Sequence, residues 1–274
     1  MRAFGKSLIV KGASYKEVTS KIRDKIRELD AIPAFPPQIA FNEVAAHFLP
    51  APDEDIIFKD ELIKLDIGVC YHGAIGDCAV TVDLGGKHQK HIDAVEAALL
   101  AAEQIIEVGL PIQEIGRVIE DTIHSFGLNP IENLAGHGLG HYCVHKDPMI
   151  PNCFHRMKEK IEPGMTFAIE PFATDGIGSV YEKGRPEIFS LTDRRYPLTP
   201  RAKEVVGQML KMHGLPFELA DLKGSDKEKI VDHLLRKRVL EGYPPLVEEE
   251  KGMVAQAENS VLVDNDGKVI ITTR

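Results

Sequence analysis

The stretch Lys64–Gly86, KLDIGVCYHGAIGDCAVTVDLGG, decides the fold. Leu65, Ile67 and Val69 alternate with Asp66, Gly68 and Cys70. Past a glycine-bounded break at Gly73–Gly76, Cys78, Val80 and Val82 alternate with Asp77, Ala79 and Thr81. Period-two alternation with β-branched residues on both sides of a glycine turn predicts a hairpin. Each strand carries one carboxylate among apolar neighbours, Asp66 and Asp77. A lone carboxylate is costly to bury, and two that face each other repel until one takes a proton, unless a cation lies between them. The pair reads as half of a metal site; the bland alternative is two surface aspartates near a turn.

The rest of the chain sets limits. Its 274 residues suit one large domain or two small ones. A hydrophobic fraction of 43% with 27% charged residues fits a globular protein with an ordinary core. The excess of 42 acidic over 33 basic residues, a net charge of −9, argues against a general nucleic-acid-binding surface. No apolar run approaches the roughly 20 residues that cross a bilayer. The first residues show no secretory-signal pattern. The four cysteines, Cys70, Cys78, Cys143 and Cys153, form no C-x-x-C pair, so they read as reduced thiols of a cytoplasmic protein rather than a zinc ribbon.

Residues 1–13 are short and mixed in character. Ser14 and Glu17 make a capping-box pair, and Tyr15, Val18, Ile22, Ile26 and Leu29 predict an amphipathic helix over 14–29. Pro33, Pro36 and Pro37 break regular structure around Phe35, and the segment runs on to His47, whose ordinary meaning is a core or surface histidine. After the hairpin, Ile92, Val95, Leu99, Ala102 and Ile106 form the stripe of a helix that Gly109 stops. A second helix starts at Pro111, carries Ile115, Val118, Ile119 and Ile123, and ends near Gly127. Helices after a hairpin predict packed α/β layers.

The segment ENLAGHGLGHYCVH, 132–145, holds three histidines. On a helix, His137, His141 and His145 would share one face, but Gly136, Gly138 and Gly140 disfavour that helix. An extended backbone follows, and on it the three imidazoles do not all meet one ion. His137 is the candidate ligand, His145 a polar contact to substrate, and His141 an outer or solvent-facing residue. Met165–Ile169 reads as a strand ending in Glu170, directly before Pro171. GMVAQAENSVLV, 252–263, puts Glu258 inside another apolar strand, with a closing hairpin around Asp264–Gly267 to Val269–Ile271. Asp66, Asp77, His137, Glu170 and Glu258 together offer four carboxylates and one imidazole. That donor set suits two divalent ions of the Mn, Fe, Co or Zn kind, which can hold a bridging water and lower its pKa.

In order, PAFP (33–36), NEVAAHFLP (42–50), LDIGV with GDCAVTVDL (65–84), LAGHGLGHYCVH with IPN (134–152), EPGMTFAIEPFAT (162–174) and YPPL with GMVAQAENSVLV (243–263) resemble the methionine aminopeptidases of the type 2, archaeal and eukaryotic, branch. The resemblance covers nearly the whole chain from about residue 12. It implies an α+β pita-bread fold, two pseudo-symmetric α/β halves around a central antiparallel sheet. The catalytic domain would span 1–189 and 249–274, with a helical insertion at 190–248. It implies removal of the initiator methionine by a bridging metal-bound hydroxide. Asp66 would chelate the second metal, Asp77 and Glu258 would bridge, His137 and Glu170 would bind the first metal, and Glu170 would also act as general base. His47 would contact the scissile amide, His145 would steady the carbonyl and the oxyanion, and Phe35 and Tyr243 would line the methionine pocket. The implied partners are nascent polypeptide N-termini with a transient ribosome contact, without stable nucleic-acid or membrane binding, for a monomer in the cytoplasm.

Within the expected insertion, Thr199-Pro200 starts one helix, and Ser225 with Glu228 caps a second that carries Ile230, Val231, Leu234, Leu235 and Val239. The basic residues Arg195, Arg236, Lys237 and Arg238 read as a solvated face in preference to a helix-turn-helix. Some features depart from the family. The helix expected before Gly12 is missing or truncated, Ala257 and Asn259 replace the usual Phe and His, and GHGLGH is atypical. The rival readings are an Xaa-Pro peptidase of the same fold and a non-catalytic binding protein on it.

Overall fold

The computed structural model describes all 274 residues. The hairpin is its spine. Leu62–Tyr71 and Ala74–Asp83 pair antiparallel along their whole length, from Leu62↔Asp83 to Tyr71↔Ala74. The turn is tighter than the sequence predicts. His72 and Gly73 make it alone, both at positive φ, as a two-residue hairpin loop requires. Gly76, expected in the turn, instead pairs with Val69. The register staggers the two aspartates, with Asp66 opposite Ala79 and Asp77 opposite Gly68. Gln38–Phe41 adds to the other edge of the first strand, placing Gln38 opposite Asp66.

Two helices cover one face of this sheet. α2, Tyr15–Glu28, begins where the capping signal places it, with the Ser14 side chain accepting from the Glu17 amide. Its apolar stripe, Val18, Ile22 and Ile26, packs with Leu65, Ile67 and Val80. Ahead of it lies α1, Arg2–Leu8. The sequence reading has no helix there and takes the family's leading helix as missing or truncated; one short helix does occupy the position and joins the layer through its buried Gly5.

The second half repeats the scheme. α3, Gln89–Ile105, and α4, Gln113–Ser125, pack their stripes against a five-stranded antiparallel sheet. In its centre Thr166–Ile169 lies between Asn259–Val263 and Ala135–Gly140. Ile115, Ile119 and Ile123 meet Phe167, Ile169 and Val261 in the core. The histidine segment is extended, as its glycines predict: Ala135–Gly140 pairs with Cys143–Pro151.

Two neighbouring strands break at the same level. Thr166–Ile169 stops at Glu170-Pro171 and resumes as Phe172–Thr174 in a different sheet. Its partner stops as Val254–Gln256 and resumes as Asn259–Val263, with Ala257 and Glu258 in the gap. Phe172 pairs with Gln256 on one side of the break and Ile169 with Asn259 on the other. Glu258 therefore does not sit inside a continuous strand, as the sequence suggests, but in the step between two. The cause is visible: Pro171 has no amide to give a ladder, and the Glu258 amide donates across to Ala79 of the hairpin at 3.2 Å.

Residues 189–240 hold a small core of their own, made by Phe189, Val205, Met209, Phe217, Val231 and Leu234, while Ile188 and Tyr243 at its two ends pack with the core under α2. α5, Pro200–Leu210, has Thr199 as cap and proline in its first turn. α6, Lys227–Arg236, is capped at Asp226 with no side-chain bond, not by the Ser225–Glu228 pair. Ile188–Leu191 runs between Phe217–Glu218 and Leu240–Tyr243.

Backbone meets backbone without room for a side chain where α4 crosses Cys153. A Cβ on Gly116 would lie 2.2 Å from the Cys153 carbonyl oxygen. Gly116→Ala is expected to destabilise the protein by about 1–3 kcal/mol, although alanine is the better helix former by about 1 kcal/mol. Urea unfolding checks this through a lower midpoint at unchanged slope.

Candidate metal centre

The stepped strands and the hairpin bring the candidate side chains to one place. Asp66, Asp77, His137, Glu170 and Glu258 line a single cavity, together with Phe35, His47, His145 and Tyr243. His137 Nε2 stands 3.8 Å from Asp77 Oδ2 and 3.8 Å from Glu170 Oε1. Asp77, His137 and Glu258 each present a ligand atom within 4.8 Å of the other two. Asp77 and Glu258 are almost fully buried, and the side chains of His137 and Glu170 nearly so. His141 lies apart, exposed over Gly73 at the hairpin tip.

The electrostatics of this cluster are unbalanced. No lysine or arginine pairs with any of the four carboxylates; their only ion-pair neighbour is the His137 ring. Burial pushes Asp66 up to about 7. Asp77, Glu170 and Glu258 are driven well above the usual carboxylate range, by burial first and then by neighbouring carboxylate charge, that of Asp66 foremost for Asp77 and Glu170 and that of Asp77 for Glu258. Asp66 Oδ1 and Asp77 Oδ1 are buried without a hydrogen-bond partner. His137 is held neutral, its pKa lowered to about 3 by burial and then by neighbouring His145. Its Nδ1 lies 3.3 Å from the Gly138 carbonyl. Donation there leaves the Nε2 lone pair facing two carboxylate oxygens, an arrangement that repels unless a cation lies between them. Orphaned carboxylate oxygens, a fixed imidazole lone pair and ligand atoms close to coordination spacing together fit a divalent metal centre.

Around this cluster stand two histidines and an apolar wall. His47, at positive φ, has its amide bound to Gln38 Oε1 at 2.8 Å. Burial and then His145 bring its pKa down to about 4, so it is neutral at pH 7. The His145 ring lies 4.2 Å from that of His137 and is solvent-exposed. Phe35 lies flat over Gly68, where a Cβ would come within 2.3 Å of its ring; only glycine lets the strand carrying Asp66 pass beneath it. Tyr243 is fixed by its hydroxyl, 2.8 Å from Ser190 Oγ, with its ring edge-on to His47 at 5.7 Å. Beside the cavity opens a groove of about 660 Å³ that shares His47, His137, His145 and Glu170 and continues past Asn133, Lys146 and Met149.

Sequence reasoning missed several residues in the wall and behind it. Gln256 donates to Glu170 Oε2 at 3.4 Å. Gln38, Val144, Ile188 and Pro216 complete the wall. Gln38 and Gln256 carry no local signal of their position; each is placed only by strand register.

The raised carboxyl pKa values set a stability profile for the metal-free protein. A group whose folded pKa exceeds its unfolded value near 4 stabilises the fold below that pH and loses its contribution as pH rises through the folded value. The depressed values of His47 and His137 act in the opposite sense, but their effect is complete above their unfolded value of about 6.5. The metal-free melting temperature is therefore expected to fall across about pH 6.5–7.5, around the value of about 7 at which Asp66 loses its proton, and added Mn should raise it more at the upper end of that range. A metal-free melting temperature that climbs over this range would contradict the burial of these groups as acids.

Comparison with known proteins gives one answer. The family model described as Metallopeptidase family M24 matches residues 1–265. The methionine aminopeptidase of Archaeoglobus fulgidus is 40% identical over 266 residues, covering 96% of this chain and 91% of that protein. Among solved structures, methionine aminopeptidase from Thermotoga maritima matches with a TM-score of 0.70 at 21% identity, over 98% of this chain and 89% of that one. A thermophilic Arx1 matches with a TM-score of 0.82 at 16% identity, over 99% and 86%. The fold is the pita-bread arrangement. Four carboxylates and an imidazole around one cavity, on this fold and across almost the full length of the family model, place the conclusion beyond the fold alone: the chain belongs to metallopeptidase family M24.

Proposed function

We propose that this metallopeptidase is a methionine aminopeptidase of the type 2 branch, removing the first methionine from nascent proteins and peptides. The observation that carries the reading is the convergence of Asp66, Asp77, His137, Glu170 and Glu258 on one cavity that no protein cation neutralises. The relatives matched over nearly all of this chain bear the name methionine aminopeptidase, which supports the substrate.

In this reading two divalent ions, of the Mn, Fe, Co or Zn kind, are held by those five residues. When bound, they supply Lewis acidity that polarises the scissile carbonyl and activates water. The chain's own groups do the rest. Glu170 takes a proton from the attacking water and passes it to the leaving amine. His47 and His145, on either side of the groove that reaches Glu170, donate hydrogen bonds to the amide and to the developing oxyanion. Phe35, Tyr243 and Ile188 enclose an apolar side chain, and the groove receives the rest of the peptide. The helical insertion, residues 190–248, contributes Pro216 and Tyr243 to the wall. We assign the protein to the cytoplasm as a monomer that meets chains at or near the ribosome. No helix is long and apolar enough to cross a membrane, in keeping with that placement.

A Met-Ala-Ser peptide, supplied with Mn or Co, is the direct test. Turnover is expected with it and not with Xaa-Pro peptides; the reverse would make the protein an Xaa-Pro peptidase, and no turnover of either by folded protein would leave a binding role. Glu170→Gln is expected to lower kcat by about 10²–10⁴-fold. Glu258→Ala should abolish turnover with the far-UV circular dichroism spectrum unchanged, and near-wild-type rates in either variant would remove that residue from the mechanism.

A further inference from the structure

Asp77 and Glu258 are gripped through their backbones by one polar network that does not enter the cavity. The fully buried Ser260 closes on Asp77 from both sides. Its Oγ accepts from the Asp77 amide at 2.7 Å and donates to the Asp77 carbonyl at 2.9 Å. Arg2, on α1, donates to the Glu258 carbonyl at 3.0 Å and to Asn259 Oδ1 at 2.5 Å. Thr273 joins the two grips: its hydroxyl donates to Asn259 Oδ1 at 3.0 Å and accepts from the Ser260 amide at 2.9 Å. Asn259 Nδ2 donates to Glu103 Oε1 at 2.6 Å, and Arg274 pairs with the second oxygen of that buried carboxylate. The path runs Asp77–Ser260–Thr273–Asn259–Arg2–Glu258, anchored on α3 at Glu103.

None of these network side chains lines the cavity. They meet from five separate segments: α1, the hairpin, α3, the stepped strand and residues 272–274. Two like-charged ligands on a broken strand and on a hairpin share no strand ladder; between those two segments the Glu258 amide reaches Ala79, and Asp77 itself is tied in only through Ser260. A hydrogen-bonded network with Glu103, Asn259 and Ser260 buried at its centre supplies the rigidity, since losing a partner leaves a polar group at that centre unsatisfied.

We propose that Arg2, Asn259 and Ser260 are positioning residues that fix the spacing between Asp77 and Glu258 and so set the affinity for divalent cations; this rests on both carboxylates being shared metal ligands. Calorimetric titration of metal-free protein with Mn alone, paired with melting in the absence of metal, tests it. Ser260→Ala and Arg2→Met are each expected to weaken Mn binding by about 10–100-fold, with metal-free melting temperatures within a few degrees of the parent. Arg2→Lys, which keeps a donor and the charge, should recover most of the affinity. Should Ser260→Ala not fold, Arg2→Met carries the test alone. Wild-type Mn affinity in the variants, with or without a fall in melting temperature, overturns the positioning role and leaves the metal centre standing. A parent protein that binds no Mn overturns both.

Discussion

Like charges held close together in a water-poor place are the constraint around which this protein is built. Asp66, Asp77, Glu170 and Glu258 come from segments up to nearly two hundred residues apart and converge without a single basic partner. Burial and mutual repulsion push their proton affinities in the same direction. A fold that only needed stability would replace such a group with packed apolar residues. Every nearby feature accommodates it: a glycine beneath Phe35, a fixed imidazole tautomer at His137, and two strands that step apart at the same level.

That paired step is how the two α/β halves share one centre. A continuous strand would point alternate residues to opposite faces of one sheet. The break after Ile169 and the break after Gln256 lie side by side, so Glu170 and Glu258 both leave their ladders where the sheets diverge. The backbone freed there is not orphaned. The Glu258 amide reaches Ala79, and the Gln256 amide reaches the Thr81 hydroxyl, so the hairpin is stitched to the break.

What could be read from the sequence follows what is local. Alternation in 62–83 and the stripes of α2, α3 and α4 are short-range patterns, and the elements formed where those patterns place them. The extended histidine segment followed from its glycines. The helix Arg2–Leu8 did not announce itself: RAFGKSL is too short to be helical alone and contains a glycine, so its order comes from the layer it packs on. Glu258 read as mid-strand because nothing near residue 257 reveals that its partner strand is interrupted by Pro171. Gln38 and Pro216 reach the cavity, and Gln256 reaches Glu170 behind it, only through tertiary register, and His47 gained meaning from family resemblance, not from its neighbours.

Pro216 comes from a stretch that holds a small core of its own, while all five donors lie outside that stretch and Tyr243, at its end, packs with the core under α2. The cavity wall is thus a composite: Phe35, Gln38, His47 and Val144 come from the same halves as the donors, and Ile188, Pro216 and Tyr243 from the stretch between them. Replacing one wall residue alters which side chain the chamber admits, yet the donors keep their places. A change at Pro216 therefore reshapes the chamber from a loop that carries none of the charged groups.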